Sequence, residues 1–196
     1  MKPYIVAITG ASGVVYGKRL VECLVAQEIP VYLIISEPAK QIFADELEIK
    51  IKTDIVSSLF SKQAKKYITA FDNKNLAAPI SSGSCKTAGM IVVPCSMATL
   101  SAIATGNSRS LIERAADVTL KEHRRLILVP REMPLNAIHL KNMLELSRIR
   151  VDIVPPMPGF YHHPKSIEDM VDFVVGKVLD LLEIEHNLYR RWNPKK

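Results

Sequence analysis

Two hydroxyl side chains stand three residues apart in the stretch PCSMATLSAIATG, just after an apolar run that ends in a proline. This spacing places Ser96 and Thr99 at the start of a helix, where backbone N–H groups have no partners within the helix. Hydroxyls and free amides at a helix start bind phosphate. Because the G-K-[ST] of a P-loop is absent, a triphosphate with magnesium is not expected. The stretch predicts a site for one phosphate group.

A glycine-rich turn near the N-terminus, in IVAITGASGVVYGKRL, also opens a helix. A dinucleotide fingerprint that starts at Gly10 needs glycine where Ser12 and Val15 stand, so a pyrophosphate site is not predicted. What remains is a turn of small residues with the Ser12 hydroxyl at the mouth of a helix, which suits an anion or a polar ring edge. An ordinary tight turn between a strand and a helix is the alternative.

One carboxylate falls on the apolar face of a predicted helix, in the stretch EPAKQIFADEL. Glu46 follows Ala39, Ile42 and Phe43 at helical spacing, so we expect it to face the protein interior. A buried carboxylate must be paired, or it becomes a group that exchanges protons. We therefore predict Glu46 as a general acid or base. An arginine-paired structural role, or a helix that ends early at Ala44, is the alternative.

Three basic residues are candidates for binding a phosphate. Arg114 and Lys121 are seven residues apart on one helix face, with Asp117 between them. Such a charge run is usually a solvated, ion-paired face, and the functional interpretation is a pair of cations aimed at a leaving phosphate. Arg131 directly follows a predicted strand, where its guanidinium can hold a phosphate by two hydrogen bonds. Glu132 is predicted to orient Arg131.

The histidines and cysteines predict no metal site. His162 and His163 are adjacent, so their side chains diverge, and no third ligand stands at helical spacing; we expect loop histidines. The cysteines Cys23, Cys85 and Cys95 are odd in number and lack C-x-x-C spacing, which argues against a disulfide framework and a zinc site. Cysteine usage of this kind predicts a reducing, cytoplasmic location.

The elements that position these residues alternate between strands and helices. Apolar, β-branched runs predict strands at Tyr4–Thr9, Val31–Ser36, Met90–Pro94, Leu126–Pro130 and Val151–Pro155, with a further short strand at Tyr67–Phe71. Helical patterns lie at Val14–Gln27, Ala98–Ala104, Leu135–Leu146 and Ser166–Ile184. This alternation predicts a three-layer α/β fold, Rossmann-like or flavodoxin-like, with a parallel sheet covered by helices on both faces. One domain over residues 1–196 is expected.

The loops that follow the predicted strands should meet at one edge of the sheet, where parallel sheets bind ligands. Together they supply hydroxyls, an arginine, a tyrosine and two histidines. With a site for one phosphate at this edge, FMN is favoured, since it is the commonest monophosphate cofactor with a large ring.

Composition excludes several classes of protein. Of 196 residues, 48% are hydrophobic, but no apolar run approaches the ~20 residues of a membrane span, and the N-terminal run breaks too early for a signal peptide. The formal net charge is +6, with the basic residues scattered apart from the tail RRWNPKK. This pattern favours a small anionic substrate over nucleic acid.

Six motifs in order, TGASG, SSGS, PCSMATLSAIATG, IERAADVTLKE, PREMPLN and PPMPGFYHHP, resemble the UbiX/Pad1 flavin prenyltransferases. The resemblance runs from Tyr4 to Arg191 and Trp192. It implies a flavoprotein that assembles into a homododecamer, with the C-terminal helix and tail, about residues 166–196, packing in the oligomer. It also implies a metal-independent enzyme that joins the dimethylallyl group of dimethylallyl phosphate to N5 and C6 of reduced FMN. The product, prenylated FMN, would serve UbiD-type decarboxylases.

The resemblance also implies site residues. The family's FMN contacts fall on Gly10, Ala11, Ser12, Ser36, Ser96, Met97, Ala98, Thr99 and Arg131, and its prenyl-phosphate contacts on Lys121, Arg131, Tyr161 and Lys177. The family's acid matches Glu46, which would move protons through Ser12. Two positions depart from the pattern: Lys177 stands where members often have Arg, and Leu76 where some have Trp.

Three alternatives remain open from the sequence. An FMN-dependent cysteine decarboxylase would share the fold but use a catalytic histidine after the first helix region, and no histidine precedes His123. The chain could instead be a non-catalytic flavin-binding subunit of a decarboxylase. An NAD enzyme could use Glu37 to hold a ribose, but the G-x-G-x-x-G turn is absent.

Overall fold

The computed structural model describes residues 1–192. The chain divides into two compact units, residues 1–155 and the part that begins at Pro156. The expectation of one domain over residues 1–196 stays a prediction, and the part of the predicted oligomer contact that falls on residues 193–196 lies outside the described residues. Within residues 1–192, no helix is long and apolar enough to cross a membrane.

The first unit contains a six-stranded sheet in which every pair of neighbours is parallel. The strands are β1 (Tyr4–Ile8), β2 (Val31–Ile35), β3 (Ile68–Asp72), β4 (Gly89–Cys95), β5 (Arg125–Pro130) and β6 (Asp152–Ile153), in the spatial order β3-β2-β1-β4-β5-β6. Because β4 is buried at each of its positions, it forms the centre of the core. The predicted α/β fold with a parallel sheet is confirmed.

Helices connect the strands. In the first unit they are α1 (Val14–Ala26), α2 (Glu37–Leu47), α3 (Ile55–Leu59), α4 (Met97–Ala104), α5 (Leu111–Lys121) and α6 (Ala137–Arg148), with 3-10 turns at Ala64–Tyr67 and Pro79–Ser81. Most begin at a polar residue whose side chain accepts a hydrogen bond from the first turn, as Ser36 does for α2 and Ser96 for α4. Most of these helices therefore start at a residue that the sequence itself marks.

The order of the strands creates a crevice between β1 and β4. The chain leaves β1 toward β2 on one side and reaches β4 on the other, and ligands of such sheets bind beyond the carboxyl ends at this switch point. Glycine is required beside it, because a Cβ on Gly17 would lie 2.3 Å from the carbonyl oxygen of Val93 and one on Gly10 would lie 2.4 Å from Cβ of Pro38. The two glycines let α1 approach β4 and let the first turn approach α2.

The second unit contains the loop that begins at Pro156, α7 (Ile167–Leu181) and a C-terminal tail. Ser166 caps α7, where the sequence predicts that this helix starts, and forms a capping box with Asp169. Asp180, in the last turn, accepts hydrogen bonds from Nε2 of His186 (3.1 Å), the hydroxyl of Tyr189 (2.6 Å) and a guanidinium nitrogen of Arg191 (2.6 Å). The tail is thus held to α7 through one carboxylate.

Candidate active site

A buried threonine connects the ends of β1 and β4. Thr9 is 1% exposed, and its Oγ1 donates to the carbonyl oxygen of Pro94 at 2.8 Å and accepts from the backbone N–H of Ser96 at 2.7 Å. In the sequence, Thr9 is recognisable only as the end of an apolar run. A hydroxyl at the end of a buried strand, directly before a turn that carries chemistry, is the signal that could have identified it.

The start of α4 has the predicted arrangement of hydroxyls. Oγ of Ser96 accepts from the N–H of Thr99 at 3.3 Å and donates to Oγ1 of Thr99 at 3.0 Å. The first backbone N–H groups of this helix point beyond the carboxyl end of β4, because the helix follows the strand after one residue. Met97 and Ala98 lie in this first turn, so the structure brings together all four residues of the predicted phosphate site.

Arg131 lies next to this helix start, at the end of β5. Its backbone N–H donates to the carbonyl oxygen of Cys95 at 3.2 Å. Nε of Arg131 is buried and has no hydrogen-bond partner among residues 1–192. A buried guanidinium N–H without a partner has unfilled capacity for an anion. The predicted orienting carboxylate does not supply it, since Oε1 of Glu132 accepts from the backbone N–H of Met133 at 3.1 Å.

Glu46 reaches the glycine-rich turn from the last turn of α2. Its two carboxylate oxygens accept from the N–H of Gly13 at 3.1 and 2.9 Å, and one of them also accepts from the N–H of Val14 at 3.2 Å. The carboxylate therefore caps the start of α1. The expectation that Glu46 is buried is wrong: it is exposed, because the end of α2 lies at the surface.

Two other residues lie in this region: Tyr16, whose pKa is affected by Glu46, and Ser36, which connects the end of β1 to the start of α2. Burial raises the pKa of Tyr16, and the negative charge of Glu46 adds to that increase. Ser36 is buried. Its Oγ accepts a hydrogen bond from the N–H of Ala39 at 3.3 Å, and its own N–H donates to the carbonyl oxygen of Ile8 at 3.0 Å. Gly10, Ala11 and Ser12 form the turn itself, so these predicted contacts lie together beside β1 and β2.

Lys121, one of the two predicted cations of α5, lies apart from this site within one chain. Lys121 ends α5 just before the amino end of β5, whereas Arg131 follows its carboxyl end, and a strand of this length spans roughly 20 Å. Lys121 pairs with Glu122 at 2.7 Å. Arg114 pairs with Asp117 at 2.6 Å and donates to the carbonyl oxygen of Ser81. One copy of the chain therefore does not bring Lys121 and Arg131 onto one phosphate.

In the second unit, Tyr161 and Lys177 both contact Phe173. The rings of Tyr161 and Phe173 are 5.7 Å apart, and Nζ of Lys177 lies 5.9 Å from the centre of the Phe173 ring. The ring of His162 stacks on Phe173 at 4.9 Å, with both ring nitrogens buried and without a partner among residues 1–192. His162 lies in a loop, as expected, but its ring packs among aromatic side chains. Among the described residues, no group of three metal-ligating side chains comes together.

Comparison with known proteins gives consistent matches over nearly the whole chain. The Flavoprotein family model matches residues 1–179. The flavin prenyltransferase UbiX of Alkalihalophilus pseudofirmus is 50% identical over 189 residues, which are 95% of this chain and 94% of that protein.

Two crystal structures are similar throughout. A dodecameric FMN-dependent UbiX-like decarboxylase from Escherichia coli has a TM-score of 0.87 and 46% identity, covering 97% of this chain and 99% of that one. AnUbiX in complex with FMN and dimethylallyl pyrophosphate has a TM-score of 0.87 and 41% identity, covering 98% and 97%.

Proposed function

Since the chain belongs to the UbiX flavin prenyltransferases of the Flavoprotein family, we propose that it transfers a dimethylallyl group from dimethylallyl phosphate to reduced FMN. Bonds to N5 and C6 of the flavin form, inorganic phosphate leaves, and the product is prenylated FMN. The observation that carries the proposal is the similarity to AnUbiX, which binds FMN together with dimethylallyl pyrophosphate.

The residues of this chain fit an FMN phosphate at the start of α4. The hydroxyls of Ser96 and Thr99 lie beside the first amides of the helix, and the Nε–H of Arg131 has no partner among residues 1–192. Amides, hydroxyls and one guanidinium are donors that a phosphate dianion accepts. Gly10, Ala11, Ser12 and Ser36 would hold the remainder of the molecule.

The chemistry requires positive charge at the leaving phosphate and a group that moves protons. The negative charge that develops on the leaving oxygen would be stabilised by Arg131, Lys121, Arg114, Lys177 and the hydroxyl of Tyr161. Electrostatic stabilisation of this kind is commonly worth several kcal/mol. Glu46 would move protons through Ser12. Three backbone hydrogen bonds fix its carboxylate beside the turn.

Assembly would bring the remaining cations to the site. Like its dodecameric relative, this chain is proposed to form a homododecamer in which Lys121 of one copy reaches the site of another. The separation of Lys121 and Arg131 along β5 supports a site made from more than one copy. The proposed recipient of the product is a UbiD-type decarboxylase. Cys23, Cys85 and Cys95 form no disulfide, which supports the cytoplasm as the location.

The test is mass spectrometry of the flavin after anaerobic incubation of the purified protein with reduced FMN and either dimethylallyl phosphate or dimethylallyl pyrophosphate. A mass increase of one dimethylallyl group that depends on the protein supports the proposal. Unmodified FMN with both donors, despite tight binding, would instead favour a non-catalytic flavin-binding subunit. Tight binding of NAD without binding of FMN would overturn the proposal completely.

A further inference from the structure

We propose that Thr9 is a positioning residue for the FMN phosphate, which it does not touch itself: it holds the start of α4 in register with the turn that follows β1. The inference rests on the proposed function, because it takes the start of α4 as the phosphate site. It concerns a residue outside the family contacts carried over from sequence.

The regular pairing of β1 with β4 ends before the site is reached. The last paired residues are Ala7 and Val92, and β4 also shifts its register toward β5 between Val92 and Cys95. Pro94 has no N–H, so the strand offers no backbone donor at that point. Beyond the paired region, hydrogen bonds from Thr9 are what connect the two strand ends.

Thr9 makes these connections with both its backbone and its side chain. Its N–H donates to the carbonyl oxygen of Pro94 at 3.2 Å, and its Oγ1–H donates to the same oxygen at 2.8 Å. Oγ1 then accepts the N–H of Ser96 at 2.7 Å. Since Ser96 is the N-cap of α4, this last bond fixes the residue whose hydroxyl continues to Thr99.

A hydroxyl is needed here because Thr9 uses it as donor and acceptor at once. Valine has the same shape but would leave the partly buried N–H of Ser96 without its partner. Serine keeps the hydroxyl and loses only a methyl group. The bond therefore predicts that serine, and not valine, preserves the geometry of the phosphate site.

The experiment compares the affinity of each variant for FMN and for riboflavin, which has the same ring but no phosphate. For Thr9→Val we expect the ratio of FMN to riboflavin affinity to fall roughly 3- to 10-fold, the effect of one neutral hydrogen bond. Thr9→Ser should keep the wild-type ratio. A general loss of stability would weaken the binding of both ligands alike and leave the ratio of their affinities unchanged. The ratio therefore distinguishes a residue that positions the phosphate site from one that only stabilises the fold.

Thr119→Val is the matched control. Thr119 is also 1% exposed, and its hydroxyl bonds the carbonyl oxygen of Ala115 inside α5, away from the site, so the ratio should not change. If Thr9→Val does not fold, Thr9→Cys replaces it, because a thiol is a weak donor and acceptor. An unchanged ratio in the variant that folds overturns the role of Thr9.

Ser96→Ala separates this inference from the proposed function. Suppose that wild type prefers FMN and that Ser96→Ala lowers the ratio of FMN to riboflavin affinity. If Thr9→Val then leaves this ratio unchanged, only the role of Thr9 is overturned. If wild type binds FMN and riboflavin equally, and Ser96→Ala has no effect, the phosphate site at α4 is itself overturned.

Discussion

Single residues in this site differ in whether their hydrogen-bonding capacity is already filled. The carboxylate of Glu46 is filled by the amides of Gly13 and Val14, and Thr9 uses both its donor and its acceptor. Nε of Arg131, in contrast, is buried without a partner among residues 1–192. Leaving a buried donor unpaired costs free energy, which a bound phosphate would recover. Arg131 should therefore contribute more to ligand binding than to folding.

Arg131→Ala should weaken FMN binding roughly 10- to 150-fold, the effect of a charge-assisted hydrogen bond of ~1.5–3 kcal/mol, with little change in thermal stability. Isothermal titration measures the affinity. The affinity of Arg131→Lys for FMN should lie between those of wild type and Arg131→Ala, because lysine keeps the charge and loses the paired N–H groups. Arg148→Ala is the control, since it removes the same charge from an exposed pair with Glu145. Equal affinity in all four proteins would exclude the phosphate role.

Glu46→Gln should keep FMN affinity and stability near wild type, because an amide oxygen can still accept from Gly13 and the exposed charge at a helix start is worth only ~0.3–1 kcal/mol. The rate of formation of prenylated FMN should fall by ~10²–10⁴, since glutamine exchanges no proton. Quenched samples analysed by mass spectrometry give the rate. Glu37→Gln, on the same helix and in an exposed pair with Lys40, is the control.

A wild-type rate for Glu46→Gln would leave Glu46 only as the cap of α1. Ser12 or the departing phosphate would then be the better candidate for the proton carrier.

Among the secondary-structure elements, most strands of the sheet could be predicted, because a buried strand and its ends are indicated by residues that are neighbours in the sequence. Apolar runs located β1 to β5 to within one residue at each end, and serines located the starts of α4 and α7. Within residues 50–84 only β3 was predicted, because α3 and the two 3-10 turns are too short to show a period. The bonds of Thr9 could not be predicted either, since they join residues more than eighty positions apart.

Lys121 lies at the opposite edge of the sheet from Arg131, which the spacing of the α5 cations did not predict. Residues after a parallel strand lie at the carboxyl edge, which correctly located Arg131. Residues just before a strand lie at the opposite edge, and Lys121 precedes β5. Helical spacing with Arg114 gave a shared face but no information on which edge of the sheet that face approaches.

The C-terminal tail is an element whose attachment should depend on pH. Burial raises the pKa of Asp180, but hydrogen bonds from Arg191 and Tyr189 outweigh it and lower the pKa from 3.8 to about 2. Because the folded value lies below the ordinary one, the stabilisation is fully present above about pH 4 and is lost as the pH falls toward 2. Hydrogen exchange of the tail amides, corrected for intrinsic rates, should show this loosening.

Asp180→Asn should loosen the tail at neutral pH, because it removes the negative charge that pairs with Arg191. We expect tryptic cleavage at Arg190 and Arg191 to accelerate several-fold, measured by intact mass. Glu168→Gln, an exposed acid at the start of the same helix, is the control and should leave the rate unchanged. Equal cleavage of wild type and Asp180→Asn would show that the tail is held by its aromatic contacts instead.

For the whole molecule, the separation of Lys121 from Arg131 makes a quantitative prediction. If one site takes Lys121 from one copy and Arg131 from another, random co-assembly of Lys121→Ala and Arg131→Ala restores both residues in about a quarter of the sites. Differently tagged chains, co-expressed and purified through both tags, should therefore show about a quarter of wild-type activity. The two variants assembled separately and then mixed are the control. No recovery in the co-assembled protein would contradict a shared site.

The carboxylate of Glu46 on the start of α1 has a consequence for which nucleotides the crevice admits. A helix start is the place where a second phosphate group would seek amides, and here those amides already bind a negative charge that belongs to the protein. A second phosphate at the same amides would be repelled by that charge. FAD has the same ring as FMN, yet its pyrophosphate would meet this repulsion. We therefore expect Glu46 to disfavour FAD relative to FMN at the start of α1, which titration of wild type and Glu46→Gln with both flavins would measure.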